Sequence, residues 1–387
     1  MILPPRGFPE EEFRARLARA QAMMEQAGLA ALLLTTEPDI RYFTGYLTRF
    51  WESPTRPWFL VVPLTGLPVA VIPAIGAALM AQTWLRDIRT WRAPDYDDDG
   101  VSLLADALTE IAGPGGPVGL PMGLESHLRM PLADWRRLQA RAGGIAFRDD
   151  AGILRRLRAV KSEAEIERIR AICTIAGRAF DRVPEIARAG VPLDEVFRRF
   201  QMLGLEEGAD WVPYLAGGAG PGGYADVISP AGPQPLAKGD VLMLDTGMMR
   251  DGYFCDFDRN FTTGAPDASV SAAHDRLIDA VDAAAEIARP GTSAADLFHA
   301  MDSPLTGGQG SEAGRLGHGL GMQLTEGLSL IPADHTILEP GMVITLEPGI
   351  ELAPGRIMVH EEDIVIRDTG PEFLSPRAGR GITVLEG

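Results

Sequence analysis

Acidic residues stand inside runs of apolar, strand-forming sequence at four places in the second half of this chain, and any fold must accommodate them. In VLMLDTGMMRDGYFCDFDRNF, Asp245 closes an apolar run and Asp256 follows eleven residues later, beyond a Gly-bearing turn. Two antiparallel strands joined in this way bring both carboxylates to one face of a sheet. Side by side and unpaired, they would repel and raise one another's pKa. A divalent cation removes that cost, and one bridging carboxylate can hold two ions about 4 Å apart. Asp251, in RDG, is explained as a turn former. Asp256 is not, because Tyr253 and Phe254 precede it in a strand pattern.

Three further segments point the same way. RLGHGLGMQL sets His318 between glycines, where backbone can approach a site closely. A neutral imidazole is a frequent ligand for manganese, cobalt, zinc or iron. Glu347 ends the apolar run MVITLEPGI, and Glu362 lies fifteen residues further on in RIMVHEEDIVI. An inward-facing carboxylate is costly unless paired or metal-bound. Asp245, Asp256, His318, Glu347 and Glu362 together therefore predict a carboxylate-rich site for two divalent ions. Asp258 is two residues from Asp256 and so projects to the same strand face, either as an extra ligand or as an ion-pair partner. His360 shares a face with Glu362, which gives it a supporting or substrate-contact role or a simply packed one. Cys255 faces the other side of the strand and is expected to be a packed thiol.

The rest of the chain divides into two textures. Up to about residue 158, helical segments such as RARLARAQAMMEQAG alternate with short apolar runs such as LAALLLTT. Gly28 is expected to stop the first helix. Such alternation favours a mostly parallel or mixed sheet with helices outside. Near Val160 the pattern changes to a long helix, opened by an S-x-x-E capping box at Ser162 and Glu165. From residue 211 onward, strands dominate, interrupted by SAAHDRLIDAVDAAAEIA and SAADLFHAMDS, an α+β arrangement. With 387 residues, 46% of them hydrophobic, the chain can bury large cores. It has no run of ~18 apolar residues, no signal-peptide pattern and two cysteines, so a reducing cytoplasm is expected and a membrane is not. A net charge of −17 argues against nucleic acid as a partner. GGAGPGGY lacks the lysine and serine or threonine of a phosphate loop.

The succession D-x(10)-D, GHGxG, LEPG and E-D before an apolar strand resembles the creatinase/prolidase/methionine aminopeptidase family of pita-bread metallopeptidases, closest to its Xaa-Pro peptidase-like members. LARAQAMMEQAGLAALLLTTEPDIRYFTGY resembles the N-terminal domain of creatinase and prolidase, and RRLRAVKSEAEIERIR the entrance to their catalytic domain. The resemblance implies an α/β creatinase-type domain over residues 1–158 and an α+β pita-bread catalytic domain over 159–387. It implies two divalent ions, manganese before cobalt, zinc or iron, on the five residues named above. It further implies hydrolysis of a C–N bond in a small peptide by metal-activated water, with Glu347 and His318 as catalytic groups, in a homodimer. In such a dimer the loop GYLTRFWESPTRPW would meet a neighbouring subunit's site, making Tyr46, Arg49 and Trp51 substrate-contact candidates. Departures from the pattern are Thr325 and Ile228, where peptidases carry histidines, Asp258 in place of threonine, and His360 in place of arginine. Tyr224 and Asp226 lie near the second missing histidine and are candidates to replace it, or form a turn before Pro230. The missing imidazoles keep open a non-peptidase relative: a creatinase- or ectoine-hydrolase-like amidohydrolase, or a dimethylsulfoniopropionate lyase. A non-catalytic binding module is the remaining alternative, and the intact ligand set argues against it.

Overall fold

The structure, a computed structural model, describes residues 3–53, 56–310 and 314–386. It divides into two compact units, Arg6–Leu157 and Arg158–Gly387, the second of which also takes the N-terminal residues up to Pro5. None of its helices is long and apolar enough to cross a membrane.

The first unit contains α1 (Glu10–Ala27), β1 (Ala31–Leu34), α2 (Glu37–Thr44), β2 (Phe59–Pro63), β3 (Val69–Pro73), α3 (Ala77–Met80), β4 (Asp87–Trp91), α4 (Val101–Ala112), β5 (Pro117–Leu120), α5 (Leu132–Arg141) and β6 (Ala146–Asp149). Gly28 ends α1 in the left-handed conformation, with its N–H returned to the Glu25 carbonyl and the Leu29 N–H to the Met24 carbonyl. The six strands form a mixed sheet in the order β4-β3-β2-β1-β5-β6, as the alternating pattern predicts. Within this unit Tyr46 and Trp51 pack their rings 5.3 and 5.4 Å from Trp58. They are 2% and 8% exposed, and the Arg129 guanidinium lies over Trp51 at 5.2 Å. Within this chain the two rings join their own core rather than facing water, as apolar rings on a short loop favour. Arg49 and Glu52 of that loop reach solvent, and Pro54 and Thr55 lie outside the described residues.

After α6 (Ile153–Ala159), the second unit runs α7 (Glu163–Asp181), α8 (Leu193–Glu207), β7 (Trp211–Pro221), β8 (Asp240–Arg250), β9 (Tyr253–Phe254), β10 (Phe257–Thr263), α9 (Ala268–Ile287), α10 (Ala294–Thr306), β11 (Val343–Leu346), β12 (Gly349–Ala353), β13 (Arg356–Val359), β14 (Glu362–Arg367), β15 (Gly370–Phe373) and β16 (Thr383–Leu385). The capping box opens α7: the Ser162 hydroxyl accepts from the Glu165 N–H, and the Glu165 carboxylate from the Ser162 N–H at 3.0 Å. One sheet follows the order β16-β10-β8-β7, with β9 on β8, and a second the order β11-β14-β15. β8 is buried along its whole length, so the one carboxylate in its middle, Asp245, must be met by something other than water.

Candidate metal centre

Local sequence sets Asp245 in the middle of a buried strand, Asp256 at a strand break, and Glu347 and Glu361 beside strand ends. In register, Asp245 on β8 stands opposite Asp258 on β10 and Ala216 on β7. Asp256 falls between β9 and β10, where the ladder is interrupted, and its N–H turns instead to the Asp363 carboxylate at 3.0 Å. The His318 loop runs beside β11: the Thr345 N–H donates to the His318 carbonyl at 2.7 Å, and the Glu347 N–H to the Leu316 carbonyl at 3.0 Å. Gly317 makes this approach possible, because a Cβ there would lie 2.2 Å from the Thr345 carbonyl. His318 and Glu347 are thereby fixed to one another through backbone.

The His318 ring carries the strongest chemical signal. Nδ1 lies 3.0 Å from the Gly319 carbonyl, which can only accept, so Nδ1 holds the proton. Nε2 then presents a lone pair, and it faces Asp256 Oδ2 at 3.3 Å. Burial, with help from the Arg315 charge, lowers the His318 pKa to about 4, so the ring is neutral near pH 7 and no ion pair joins the two. A neutral imidazole lone pair facing a buried carboxyl is an arrangement that suits a cation. Glu361 completes the group: Asp256, His318 and Glu361 each offer a ligand atom, all within 4.8 Å of one another.

Asp245 and Glu347 belong to the same field. Burial raises the Asp245, Asp256 and Glu361 carboxyls well above the ordinary range, and their mutual repulsion adds to it. Glu347 is raised to about 7, again by burial first, with Arg315 opposing and Asp258 reinforcing. Asp245 Oδ1 and Glu361 Oε1 are buried with no hydrogen-bond partner. Carboxylate oxygens with one imidazole nitrogen form a donor set suited to borderline-hard divalent ions, and four carboxylates balance two of them. The residues therefore fit a pair of divalent cations.

Glu362 requires a correction. Its Oε2 accepts from Arg259 Nη2 at 3.0 Å and from the Ser375 hydroxyl. Its Oε1 accepts from the Ala378 N–H at 2.9 Å and lies 3.2 Å from His360 Nε2. Burial alone would raise its pKa, but Arg259, His360 and Ser375 outweigh that and hold it at about 2. Successive residues of an extended chain point to opposite faces, so it is Glu361 that turns toward Asp256 and His318. A reading one residue out of register selects the wrong carboxylate.

Of the other candidates, His360 is packed between Asp258 and Glu362, with Nδ1 3.4 Å from Asp258 Oδ1. Asp258 faces Asp245 across the ladder, but it lies outside the group of three ligand atoms. Tyr224 is corrected from substrate contact to structural tie, because its hydroxyl accepts from the Val359 N–H and donates to Asn260 Oδ1, at 2.6 and 3.2 Å. Asp226 caps a turn, accepting from the Ile228 and Ser229 N–H groups, and Ile228 is exposed. Two neighbours escaped the sequence reading. The Tyr214 hydroxyl acts on the Asp245 carboxyl, opposing the rise that burial causes, Arg315 acts on Glu347, His318 and Asp256, and Arg315 Nη2 donates to Thr325 Oγ1 at 3.2 Å. An arginine three residues before the ligand histidine was visible, but nothing local in RLGHG distinguishes it from a surface charge.

Residues 167–368 match metallopeptidase family M24, and residues 16–160 match the creatinase/prolidase N-terminal domain. The chain is similar to the probable dipeptidase PepE of Mycobacterium tuberculosis, 32% identical over 373 residues that cover 93% of each chain. Among solved structures it is similar to the dipeptidase PepE of Mycobacterium ulcerans, at a TM-score of 0.84 and 28% identity, covering 98% of this chain and 100% of that one. A prolidase of Thermococcus sibiricus shares the fold at a TM-score of 0.86 and 23% identity, covering 98% and 100%.

Proposed function

Because this chain belongs to metallopeptidase family M24 and carries a creatinase/prolidase-type N-terminal domain, we propose that it is a metal-dependent dipeptidase acting on short peptides with a free carboxylate, Xaa-Pro dipeptides among them. The observation that carries this reading is the meeting of the His318 Nε2 lone pair with Asp256 Oδ2 at 3.3 Å, beside Glu361. Asp245, Asp256, His318, Glu347 and Glu361 would hold two divalent ions, manganese first, with cobalt, zinc or iron as alternatives. When bound, such ions lower the pKa of water toward about 7 and polarise a carbonyl.

The remaining work falls to the chain's own groups. Glu347, half-buried at the end of β11, takes a proton from the attacking water and returns it to the leaving amine. Tyr214 holds the Asp245 carboxylate in place. Four carboxylates and two divalent ions sum to zero, which leaves the Arg315 guanidinium as the unbalanced charge facing the substrate. A peptide carboxylate is its natural partner, and Thr325 orients it. The use of Thr325 and Arg315 where peptidases carry an imidazole also supports a second reading, a hydrolase or lyase of a small carboxylated osmolyte.

A panel separates the two. Manganese- or cobalt-loaded protein is incubated with Xaa-Pro and other dipeptides, creatine, ectoine and dimethylsulfoniopropionate, and the products are resolved by chromatography. Amino-acid release from dipeptides is expected. Turnover of an osmolyte with no dipeptide cleaved would replace the first reading by the second. The same proposal includes a cytoplasmic homodimer, which cell fractionation and light scattering test.

A further inference from the structure

The candidate ligands come from two sheets that no backbone ladder joins among the described residues: Asp245 and Asp256 from the sheet of β8 and β10, Glu361 from the edge of β14 in the other. Some contact must fix one sheet against the other, since a site of this kind tolerates about 0.5 Å of error. Asp363 is placed to do so. It is fully buried on β14, two residues beyond Glu361. Its Oδ2 accepts two hydrogen bonds, from the Asp256 N–H at 3.0 Å and from the Cys173 thiol on α7 at 3.2 Å. Its own backbone is held as well: the N–H donates to Ser375 Oγ at 3.0 Å, and the carbonyl accepts from the Leu374 N–H at 2.8 Å. Other bonds cross between the sheets, such as Arg259 Nη1 to the Glu361 carbonyl. Both that bond and the Asp363 bond end on the backbone of a candidate ligand in the opposite sheet, and it is the Asp363 bond that reaches Asp256.

We infer that Asp363 is a positioning residue for the metal centre: through the Asp256 N–H it sets the separation between the Asp256 and Glu361 carboxylates, and the Cys173 thiol fixes its rotamer. A second geometric sign agrees. The N–H of Asp256 lies at the strand break, where no ladder partner is available, so its direction, and with it that of the side chain, is governed by Asp363.

This inference rests on the metal reading of the site, and cobalt(II) titration tests both. Affinity is measured by calorimetry and geometry by the visible d–d spectrum, with the melting temperature of the metal-free protein as the control for folding. Asp363→Asn retains an acceptor for the Asp256 N–H and is expected to bind within a few-fold of wild type with the same spectrum. Asp363→Leu removes the acceptor and is expected to bind ~10–100-fold more weakly, with an altered spectrum. Should the leucine variant fail to fold, Asp363→Glu decides, since it keeps the charge and displaces the acceptor by one methylene; weaker binding and a shifted spectrum are expected there too. A folded Leu or Glu variant with wild-type affinity and spectrum would overturn the positioning role while leaving the metal site standing. Wild-type protein that takes up neither cobalt(II) nor manganese(II) would overturn both.

Discussion

Glu361 and Glu362 are neighbours in sequence, both are buried, and they handle negative charge in opposite ways. Glu362 is surrounded by donors: Arg259, Ser375, the Ala378 N–H and His360. Glu361 faces Asp256, Glu347 and Asp245, and its Oε1 has no partner. The same burial therefore ends in a carboxyl held at about 2 on one side and one pushed well up on the other. The difference teaches what burial of charge means here. A partnered carboxylate is part of the scaffold, whereas a set of unpartnered ones stores repulsion that a cation releases. Glu326 repeats the scaffold pattern, paired with Arg158 and with Lys161 at 3.2 Å.

The contrast can be broken at either end. Asp256→Ala removes a ligand from the inner group and is expected to weaken manganese binding by at least about 100-fold, the upper range for changes one layer further out. It should abolish peptide cleavage and leave the metal-free protein as stable as wild type or more so, because a source of repulsion is gone. Calorimetry and thermal melts read both effects. Arg259→Met strikes the outer side instead, leaving Glu362 buried without its cation. A loss of about 3–5 kcal/mol in chemical denaturation is expected, with metal affinity near wild type in the protein that remains folded.

Acidity separates the two regions by sign. Glu362 is depressed to about 2, so its contribution, about 3 kcal/mol by linkage, is present above the ordinary carboxylate pKa and lost as pH falls from about 4.5 to 2. Glu347 is raised to about 7, so metal-free protein should lose up to about 3 kcal/mol as pH rises from about 4.5 to 7. Glu347→Gln should flatten that slope. Metal-free stability that climbs steadily over this window would contradict the inner assignment. The smallest effect belongs to Thr325→Val, which frees Arg315 from its one hydroxyl contact. About 1 kcal/mol of lost hydrogen bonding predicts a several-fold rise in KM for a dipeptide, with kcat nearly unchanged.

Much of this was legible in the sequence wherever one residue type in one setting has one explanation. The Ser162 and Glu165 capping box, the Gly28 stop and the strands around Asp245 follow from local chemistry and appear where expected. Asp245, Asp256 and Glu347 are candidates because apolar strands rarely carry acids without cause, and His318 because it stands between glycines. The choice between Glu361 and Glu362 was not legible in that way. In HEED the two acids stand side by side where β14 begins, and only the alternation of faces along the extended chain decides which one turns inward. In β7, Gly217 is needed because a Cβ there would come 2.1 Å from the Met243 carbonyl. Tyr224 looked like a substrate group because no local signal announces that its hydroxyl is spent on Val359 and Asn260.

The most direct test of the account is a manganese titration of wild type, Glu361→Gln and Glu362→Gln, followed by calorimetry. Two ions per chain are expected for wild type and for Glu362→Gln, with Glu361→Gln weakened by at least about 100-fold. Loss of metal from Glu362→Gln with wild-type binding in Glu361→Gln would contradict it.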